Sequence, residues 1–310
     1  MALLTLLACA PKVVAPDLGG PPPGPFWPAS PEVPHVAYVG EVRPPTGVFA
    51  RPIDVACGAG HVVAVADVDA GAVWVLDLSK RRGFADVATP DGRLWAPVGV
   101  AFDGGGRLYV ADADRATVLR GRDDRRALLA AVTPEGQLGR PTAVLPRTDG
   151  SLVVVDAGAH ALVRVTPAGE VEPVAAARGA AGAGFNFPVD VAIGPAGEHY
   201  VADAMNATVD RVGPDGRVEV FTAGSPVGSI VRPKGVAVDA RGNVHVVDGA
   251  MQHVEVYDAS ARLLGRYGEP GSGPGQLGLP AGICIDADDH VFVADTLNGR
   301  VQVFRLLEAP

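Results

Sequence analysis

The chain has 310 residues, 48% of them hydrophobic, which is enough for one large domain or two smaller ones. Its formal net charge is −9, and an acidic chain without a basic cluster is a poor partner for nucleic acid or for an anionic membrane surface. The sequence contains no run of about 18 apolar residues, the length that a membrane-spanning helix needs.

The first twelve residues, MALLTLLACAPK, contain a short apolar run that ends at Cys9. This run resembles a bacterial lipobox, in which a signal is cut before a cysteine that becomes lipidated. Only eight residues precede Cys9 and none is basic, so the signal is shorter than usual. We expect a short lipoprotein signal over 1–9, lipidation of Cys9 and localisation at the bacterial cell envelope. A cytoplasmic protein with an ordinary apolar N-terminus is the alternative.

Residues 10–34 are rich in proline and glycine. Such a segment cannot build a core, and it is typical of an extended tether. The folded part is therefore predicted to span 35–310. It begins with HVAYVGEV, residues 35–42, which predicts a β-strand.

Six units follow, each aligned on a proline and on a later aspartate. Both series step by 44 to 47 residues. In every unit, five residues separate the aspartate from the same apolar position of the following Val-rich run, as between Asp67 and Val73. Each unit contains short Val-rich runs separated by turn residues, as in GVAVD-ARGN-VHVVD. The prolines are Pro52, Pro97, Pro141, Pro188, Pro233 and Pro280, and the aspartates are Asp67, Asp112, Asp156, Asp203, Asp248 and Asp295.

Four short strands in about 45 residues are typical of a β-propeller blade. The sixth unit has only three strands before the chain stops, whereas the strand at 35–42 precedes the first unit. We therefore predict an all-β, six-bladed propeller of four-stranded blades, in which the N-terminal strand completes the last blade. Closure of this kind removes exposed sheet edges.

The units resemble the NHL-repeat family, with the sixth, LPAGICIDADDHVFVADTLNGRVQVFR, nearest to its pattern. The connecting segments GPGQLGLP and PEGQLGRP match as well, and the resemblance covers residues 35–307. It implies a propeller, but it implies no single activity, because the family includes scaffolds, sensors, nucleic-acid binders and a few enzymes.

The six repeat aspartates each end a strand and open a loop. An aspartate at such a position can accept hydrogen bonds from loop N–H groups. A catalytic role would not need six copies, so a structural role is predicted for all of them.

A metal-dependent hydrolase or lyase at the central channel is the alternative to a binding role. Amidating lyases of this fold place zinc-binding histidines just after the repeat proline, where this chain has no histidine. Gluconolactonase-like propellers use an early glutamate, and none lies near Pro52. The seven histidines show no convergence. Only Asp54 and Asp190, in units one and four, are candidate ligands for a channel calcium or zinc ion, and capping of their strands is the competing interpretation.

The five-residue loops are predicted to emerge on one face and to bind a protein, a peptide or a small polar ligand. Neither a resident cofactor nor a nucleic-acid partner is predicted, and the propeller is expected to be monomeric. The candidate binding residues are Asp69, Arg115, His160, Asn206, Met251, His253, Asn298 and Arg300.

Two further cysteines, Cys57 and Cys284, lie in the first strands of units one and six, which are neighbours in a closed ring. Their positions have opposite parity, so they point toward each other or apart. A disulfide is therefore one interpretation, and two separate buried thiols is the one we favour.

Overall fold

The computed structural model describes residues 12–27, 35–85, 94–121, 130–175, 184–224 and 230–307. The predicted lipidation site Cys9 lies outside them. The described residues form no α-helix, and none of their helical segments is long and apolar enough to cross a membrane.

The strands form six antiparallel sheets arranged as blades, preceded by β1 (Phe26–Trp27) and β2 (Val36–Val42). Blade 1 contains β3 (Pro52–Gly58), β4 (Val62–Asp67), β5 (Ala72–Asp77) and β6 (Arg82–Ala85). Blade 2 contains β7 (Pro97–Phe102), β8 (Leu108–Asp112), β9 (Thr117–Arg120) and β10 (Ala130–Ala131). Blade 3 contains β11 (Pro141–Pro146), β12 (Leu152–Asp156), β13 (Ala161–Val165) and β14 (Val171–Ala175).

Blade 4 contains β15 (Pro188–Ile193), β16 (His199–Asp203), β17 (Thr208–Val212) and β18 (Val218–Val220), followed by a 3₁₀ turn over Phe221–Gly224. Blade 5 contains β19 (Pro233–Val238), β20 (Val244–Asp248), β21 (His253–Tyr257) and β22 (Leu263–Tyr267). A short parallel pair, β23 (Glu269–Pro270) and β24 (Gln276–Leu277), leads to blade 6, with β25 (Pro280–Ile285), β26 (His290–Asp295) and β27 (Arg300–Leu306).

The N-terminal strand closes the ring, as predicted. Strand β2 pairs with β27 from Val36↔Leu306 to Val42↔Val301 and supplies the missing fourth strand of blade 6. The first strands of successive blades contact one another all the way round, from β3 through β25 and back to β3. The all-β, six-bladed fold is thereby confirmed.

Each repeat proline pairs with the repeat aspartate of its own blade, as in Pro52↔Asp67 and Pro280↔Asp295. The start of each first strand and the end of each second strand therefore lie at the same edge of the sheet. We call this side of the propeller the loop face. The turns between first and second strands, such as the one after Gly58, lie on the opposite side.

Residues 12–27, within the interval predicted as a tether, pack against the propeller. Val13 and Ala15 are buried in the core between blades 6 and 1, and Val14 forms a bridge with Arg43. Trp27 packs edge-on against Phe304 of blade 6, with ring centroids 5.6 Å apart. The segment therefore covers the junction at which the ring closes.

A disulfide joins Cys57 to Cys284 across that junction, with the Cα atoms 5.7 Å apart. The interpretation that we favoured, two separate thiols, is wrong. The reason is the register: Val55 of blade 1 and Ile283 of blade 6 hold equivalent positions in their sheets, so the two cysteines are one residue out of phase and face each other. We call the contact between blades 6 and 1, with the disulfide and residues 12–18, the ring-closing seam.

Candidate functional site

The six repeat aspartates are all buried and serve the fold. Each accepts hydrogen bonds from backbone N–H groups just before its own repeat proline; Asp67, for example, accepts from Ala50 N and Arg51 N at 2.9 and 2.7 Å. The bonds therefore hold the chain that enters the blade, as well as the loop that follows the aspartate. This is the role expected for a short polar side chain at a turn. The other five are Asp112, Asp156, Asp203, Asp248 and Asp295.

The sixth copy is bound mainly by side chains. Asp295 accepts from Gly278 N at 2.7 Å, and from side chains of Asn298, Arg300 and Gln302 at 2.8 to 2.9 Å. The guanidinium of Arg300 also contacts Glu41 of β2 at 2.9 Å. This network ties β2 to the blade that it completes.

Asp54 and Asp190 both line the central channel, around a cavity of about 210 Å³. Asp54 accepts hydrogen bonds from Val55 N in its own strand and from Val100 N in blade 2, both at 2.8 Å. Asp190 repeats the arrangement with Val191 N and with Val236 N of blade 5, again at 2.8 Å. Each carboxylate thus links two neighbouring first strands.

The channel partly removes Asp54 and Asp190 from water, which disfavours the ionised form of both carboxyls. Removal from water raises the pKa of Asp190 to about 7. The pKa of Asp54 is raised well above its usual value by burial and then by the negative charge of Asp190. Each carboxyl is therefore harder to ionise in the folded protein than in water.

Whether this channel can hold a metal ion depends on the ligands that line it. Zinc needs about three protein ligands and calcium six or more oxygens. Among the described residues that line the cavity, Asp54 and Asp190 are the only ones with ionisable side chains, and the rest are apolar apart from the disulfide. Two carboxylates that already bind backbone N–H groups do not complete either site.

The candidate binding residues lie at the loop face, but several are occupied within the fold. Arg115 is buried against Trp95 and contacts Glu135 at 2.8 Å, and Arg300 is buried in the Asp295 network. The others include exposed and partly exposed residues. Asp69 contacts Arg51, and His160 accepts a hydrogen bond from Phe187 N. Asn206 and Asn298 donate to backbone carbonyls. His253 lies 3.3 Å from Glu255, and Met251 is exposed.

Exposed apolar side chains form a feature of the loop face, of which the sequence predicted one member, Met251, as a binding residue. They occupy two places in each of blades 4, 5 and 6: just before the repeat proline, and in the loop after the repeat aspartate. Val48, next to Gly299, extends the series. We call this set the apolar arc: Val48, Phe187, Met205, Val231, Met251, Leu279 and Leu297.

The described loop-face residues of blades 1 to 3 include charged pairs, but Trp95, two residues before Pro97 in blade 2, is also 52% exposed. Arg51 pairs with Asp69 in blade 1, at 2.8 Å, and Arg140 of blade 3 approaches Asp114 of blade 2 at 3.6 Å. The apolar arc is therefore concentrated on blades 4 to 6, with Trp95 as an exposed apolar residue outside it, whereas the repeat itself is common to all six blades. The signal was present in the sequence as large apolar residues flanking the repeat prolines of units four to six.

Two histidines and an aspartate meet on the other side of the propeller, at the ring-closing seam. His290 Nδ1 lies 3.2 Å from Asp286 Oδ2, and His61 Nδ1 lies 3.8 Å from the same oxygen. The prediction that the histidines do not converge is therefore wrong for this pair. The available signal was that the adjacent units one and six both carry a histidine just before the second strand.

A second buried acid pair lies in blade 4. Asp210 is buried beside Asp203, and Thr208 donates a hydrogen bond to it at 3.1 Å. Burial and then the charge of Asp203 raise the pKa of Asp210 to about 7. Asp210 is therefore largely protonated below neutral pH.

Comparison with known families places this geometry in context. The family model described as the SMP-30/Gluconolactonase/LRE-like region matches residues 89–308, more than half of the chain. The protein belongs to the SMP-30/gluconolactonase/LRE-like family. The NHL-repeat resemblance is not confirmed as a family assignment, although it correctly indicated a six-bladed propeller.

Several solved structures share the fold at low identity. A gluconolactonase from Xanthomonas campestris is 17% identical over 93% of this chain and 99% of that one, with a TM-score of 0.66. Regucalcin from Agrobacterium tumefaciens, described as a calcium-binding protein, is 14% identical over 87% and 93%, with a TM-score of 0.64.

Virginiamycin B lyase from Staphylococcus aureus is 13% identical over 88% of this chain and 99% of that one, with a TM-score of 0.62. No curated protein sequence matches the chain significantly. At these identities the structural likeness shows the fold alone.

Proposed function

We propose that the protein is a binding propeller that docks a protein or peptide partner through the apolar arc. The observation that carries this proposal is the concentration of exposed apolar side chains on three consecutive blades of one face. Leu297 is 70% exposed and Met205 is 63% exposed, and both lie in loops whose backbone is fixed by hydrogen bonds. Contiguous exposed apolar groups on a rigid frame are typical of interaction sites.

The chemistry of the arc favours a partner with apolar side chains over a small polar ligand. Methionine is flexible and polarisable, and it adapts to apolar partners. The polar residues beside it are already occupied: Asn206 donates to Gly184 O and Asn298 to Gly271 O. Those amides hold the loops in place, and the apolar side chains remain available for contact.

The test is to cross-link the tagged protein to its neighbours in native envelope fractions and to compare variants. Met205→Ser/Met251→Ser/Leu297→Ser removes three members of the arc. Val220→Ser/Leu264→Ser is the matched control, because these residues are exposed and apolar but lie on outer strands. A partner lost at least tenfold by the arc variant and kept by the control supports the proposal; equal capture by both contradicts it.

We also propose attachment at the cell envelope through a lipid on Cys9, on the sequence pattern described above. Membrane fractionation of Cys9→Ala should move the protein to the soluble fraction. If its distribution is unchanged, the lipid-anchor proposal is wrong, while the docking proposal stands.

A metal-dependent hydrolase or lyase is the second candidate, favoured by the family assignment and by two carboxyls that share one cavity. Since the described lining does not complete a metal site, no catalytic step is derived for it. A sugar lactone is the probe, because a gluconolactonase is among the similar structures. Turnover by the wild-type protein that is lost in Asp54→Asn/Asp190→Asn would favour this candidate over a binding role.

A further inference from the structure

Three side chains with metal-binding atoms meet at the ring-closing seam, on the side opposite the loop face. His61 lies in the turn between β3 and β4 of blade 1. Asp286 and His290 flank the turn between β25 and β26 of blade 6. One ligand atom from each lies within 4.8 Å of the other two. The group is separate from the channel carboxyls and from the apolar arc.

The spacing of these atoms is close to that of a tetrahedral metal. With metal–ligand bonds of about 2.0 Å, ligand atoms around zinc stand about 3.3 Å apart. The observed distances from Asp286 Oδ2 are 3.2 Å to His290 Nδ1 and 3.8 Å to His61 Nδ1. The distance between the ligand atoms of His61 and His290, which lie within 4.8 Å of each other, must shorten the most when a metal binds. His61 can move to do this, because its side chain is 33% exposed.

The atoms behind the ligands orient them for this purpose. Asp286 Oδ1 accepts the backbone N–H groups of Asp288 and His290, both at 2.9 Å, which leaves Oδ2 directed at the histidines. His290 Nε2 lies 3.1 Å from Leu18 O, a carbonyl that can only accept, so this nitrogen carries a hydrogen. Metal-ligating histidines usually donate their second ring N–H to a carbonyl or carboxylate in this way.

His61 approaches the group from the solvent side. Its Nδ1 faces Asp286, and its Nε2 lies 3.8 Å from Asp288 Oδ2. Its backbone has a φ of 58°, a left-handed conformation that Asp289 also adopts in the corresponding turn of blade 6, so the turn sets this conformation.

A comparison within the molecule shows that a His–Asp pair alone does not make such a group. In blade 5, His245 Nε2 lies 3.4 Å from Asp239, the counterpart of Asp286. There, however, the other ring nitrogen contacts the buried Tyr267 hydroxyl, 3.2 Å away. The described residues include no second histidine at that pair. The seam is therefore distinguished by a third ligand contributed from the neighbouring blade.

We propose that His61, Asp286 and His290 bind a zinc-class divalent transition metal, with water in the fourth position. Imidazole and carboxylate ligands suit zinc. Two histidine nitrogens, one carboxylate oxygen and one water make up the four ligands of a tetrahedral zinc ion. The ion connects blade 1 to blade 6 directly, and through His290 and Leu18 it connects both to the docked N-terminal segment. It acts at the same junction as the Cys57–Cys284 disulfide.

The experiment uses the full chain, stripped with chelator and titrated with zinc against a fluorescent chelator competitor. Cobalt is then added in place of zinc, because tetrahedral cobalt has strong visible absorption. His61→Asn is the test variant, since asparagine tolerates the left-handed backbone but is a poor zinc ligand. His253→Gln is the matched control: this histidine also lies beside a carboxylate, Glu255 at 3.3 Å, but on the other side of the propeller.

We expect one equivalent of zinc in the wild-type protein and in His253→Gln, with a tetrahedral cobalt spectrum. His61→Asn should bind at least about 100-fold more weakly, because loss of a direct ligand costs more than the 10- to 100-fold found for residues that only support a ligand. Zinc should also slow proteolysis within residues 12–27 in the wild type and in His253→Gln, but not in His61→Asn. The absence of saturable binding, or equal affinity in His61→Asn and wild type, would overturn the proposal.

Discussion

Replacement of Asp295 by alanine tests whether the repeat aspartates hold the fold together. The change removes a buried carboxylate that accepts from Gly278 N, Asn298, Arg300 and Gln302. A buried donor left without a partner costs about 1–3 kcal/mol, and breaking a buried ion pair costs about 3–5 kcal/mol. Because Arg300 keeps its contact with Glu41, we expect a loss of about 4 kcal/mol in the free energy of unfolding.

The same substitution at Asp67 should cost less. Asp67 accepts from two backbone N–H groups, of Ala50 and Arg51. Both of those residues are exposed, so water can replace part of the lost bonding. A loss of about 1–2 kcal/mol is expected. Asp69→Ala, two residues further along the loop, is the control and should change stability by less than about 0.5 kcal/mol, because its pair with Arg51 is exposed.

Urea denaturation, followed by tryptophan fluorescence and circular dichroism, measures all three variants. A double-mutant cycle with Arg300→Met isolates the ion pair, and we expect a coupling of about 1–3 kcal/mol between Asp295 and Arg300. Equal losses for Asp295→Ala and Asp67→Ala would refute the reasoning. So would a loss below about 1 kcal/mol for Asp295→Ala, because the carboxylate would then not be stabilising the blade.

Three further outcomes are expected. The pKa of Asp210 is raised to about 7 in the folded protein. The free energy of unfolding should therefore fall as pH rises from about 4 to 7, by up to about 4 kcal/mol. Asp210→Asn should reduce that fall in thermal melts, and an unchanged pH profile would contradict this. Cys57→Ser/Cys284→Ser should lower stability by about 2–5 kcal/mol in denaturation without reductant, whereas equal stability of the oxidised protein and the variant would show that the disulfide contributes nothing. Deletion of residues 2–33 should lower the melting temperature, because it removes the docked segment, and deletion of 2–11 should not; equal melting temperatures would mean that the docked segment adds no stability.

The fold could be predicted from the sequence because the pattern of one blade repeats six times. A constant distance of five residues between each repeat aspartate and the next apolar position sets the loop, and the loop sets the register of the second and third strands. The last unit lacks a fourth strand and an extra strand lies at 35–42, so every blade is complete only if the extra strand pairs with the last unit. The structure realises it through the pairing of Val36 with Leu306 and of Val42 with Val301.

The candidate sites were less predictable because they depend on contacts between blades. The channel position of Asp54 and Asp190 follows from the repeat, but their hydrogen bonds to Val100 and Val236 of the next blades do not. The docking of Val13 was also hidden, since a Pro/Gly-rich segment resembles a tether until its few apolar residues find a partner surface. Composition describes such a segment well, but it cannot show which surface the segment meets.

The ring-closing seam concentrates interactions because the ring is closed beside it by strand pairing and not by chain continuity. Residues 43–51 connect β2 to blade 1, whereas β2 is held in blade 6 through its pairing with β27. A disulfide, a docked N-terminal segment and the Asp295 network all lie there. Opening this contact would expose two sheet edges at once and would disturb Val48 and Leu297 of the apolar arc, which border it. Stability of the seam and partner binding at the arc should therefore be coupled, and variants that weaken the seam should weaken docking before the propeller unfolds.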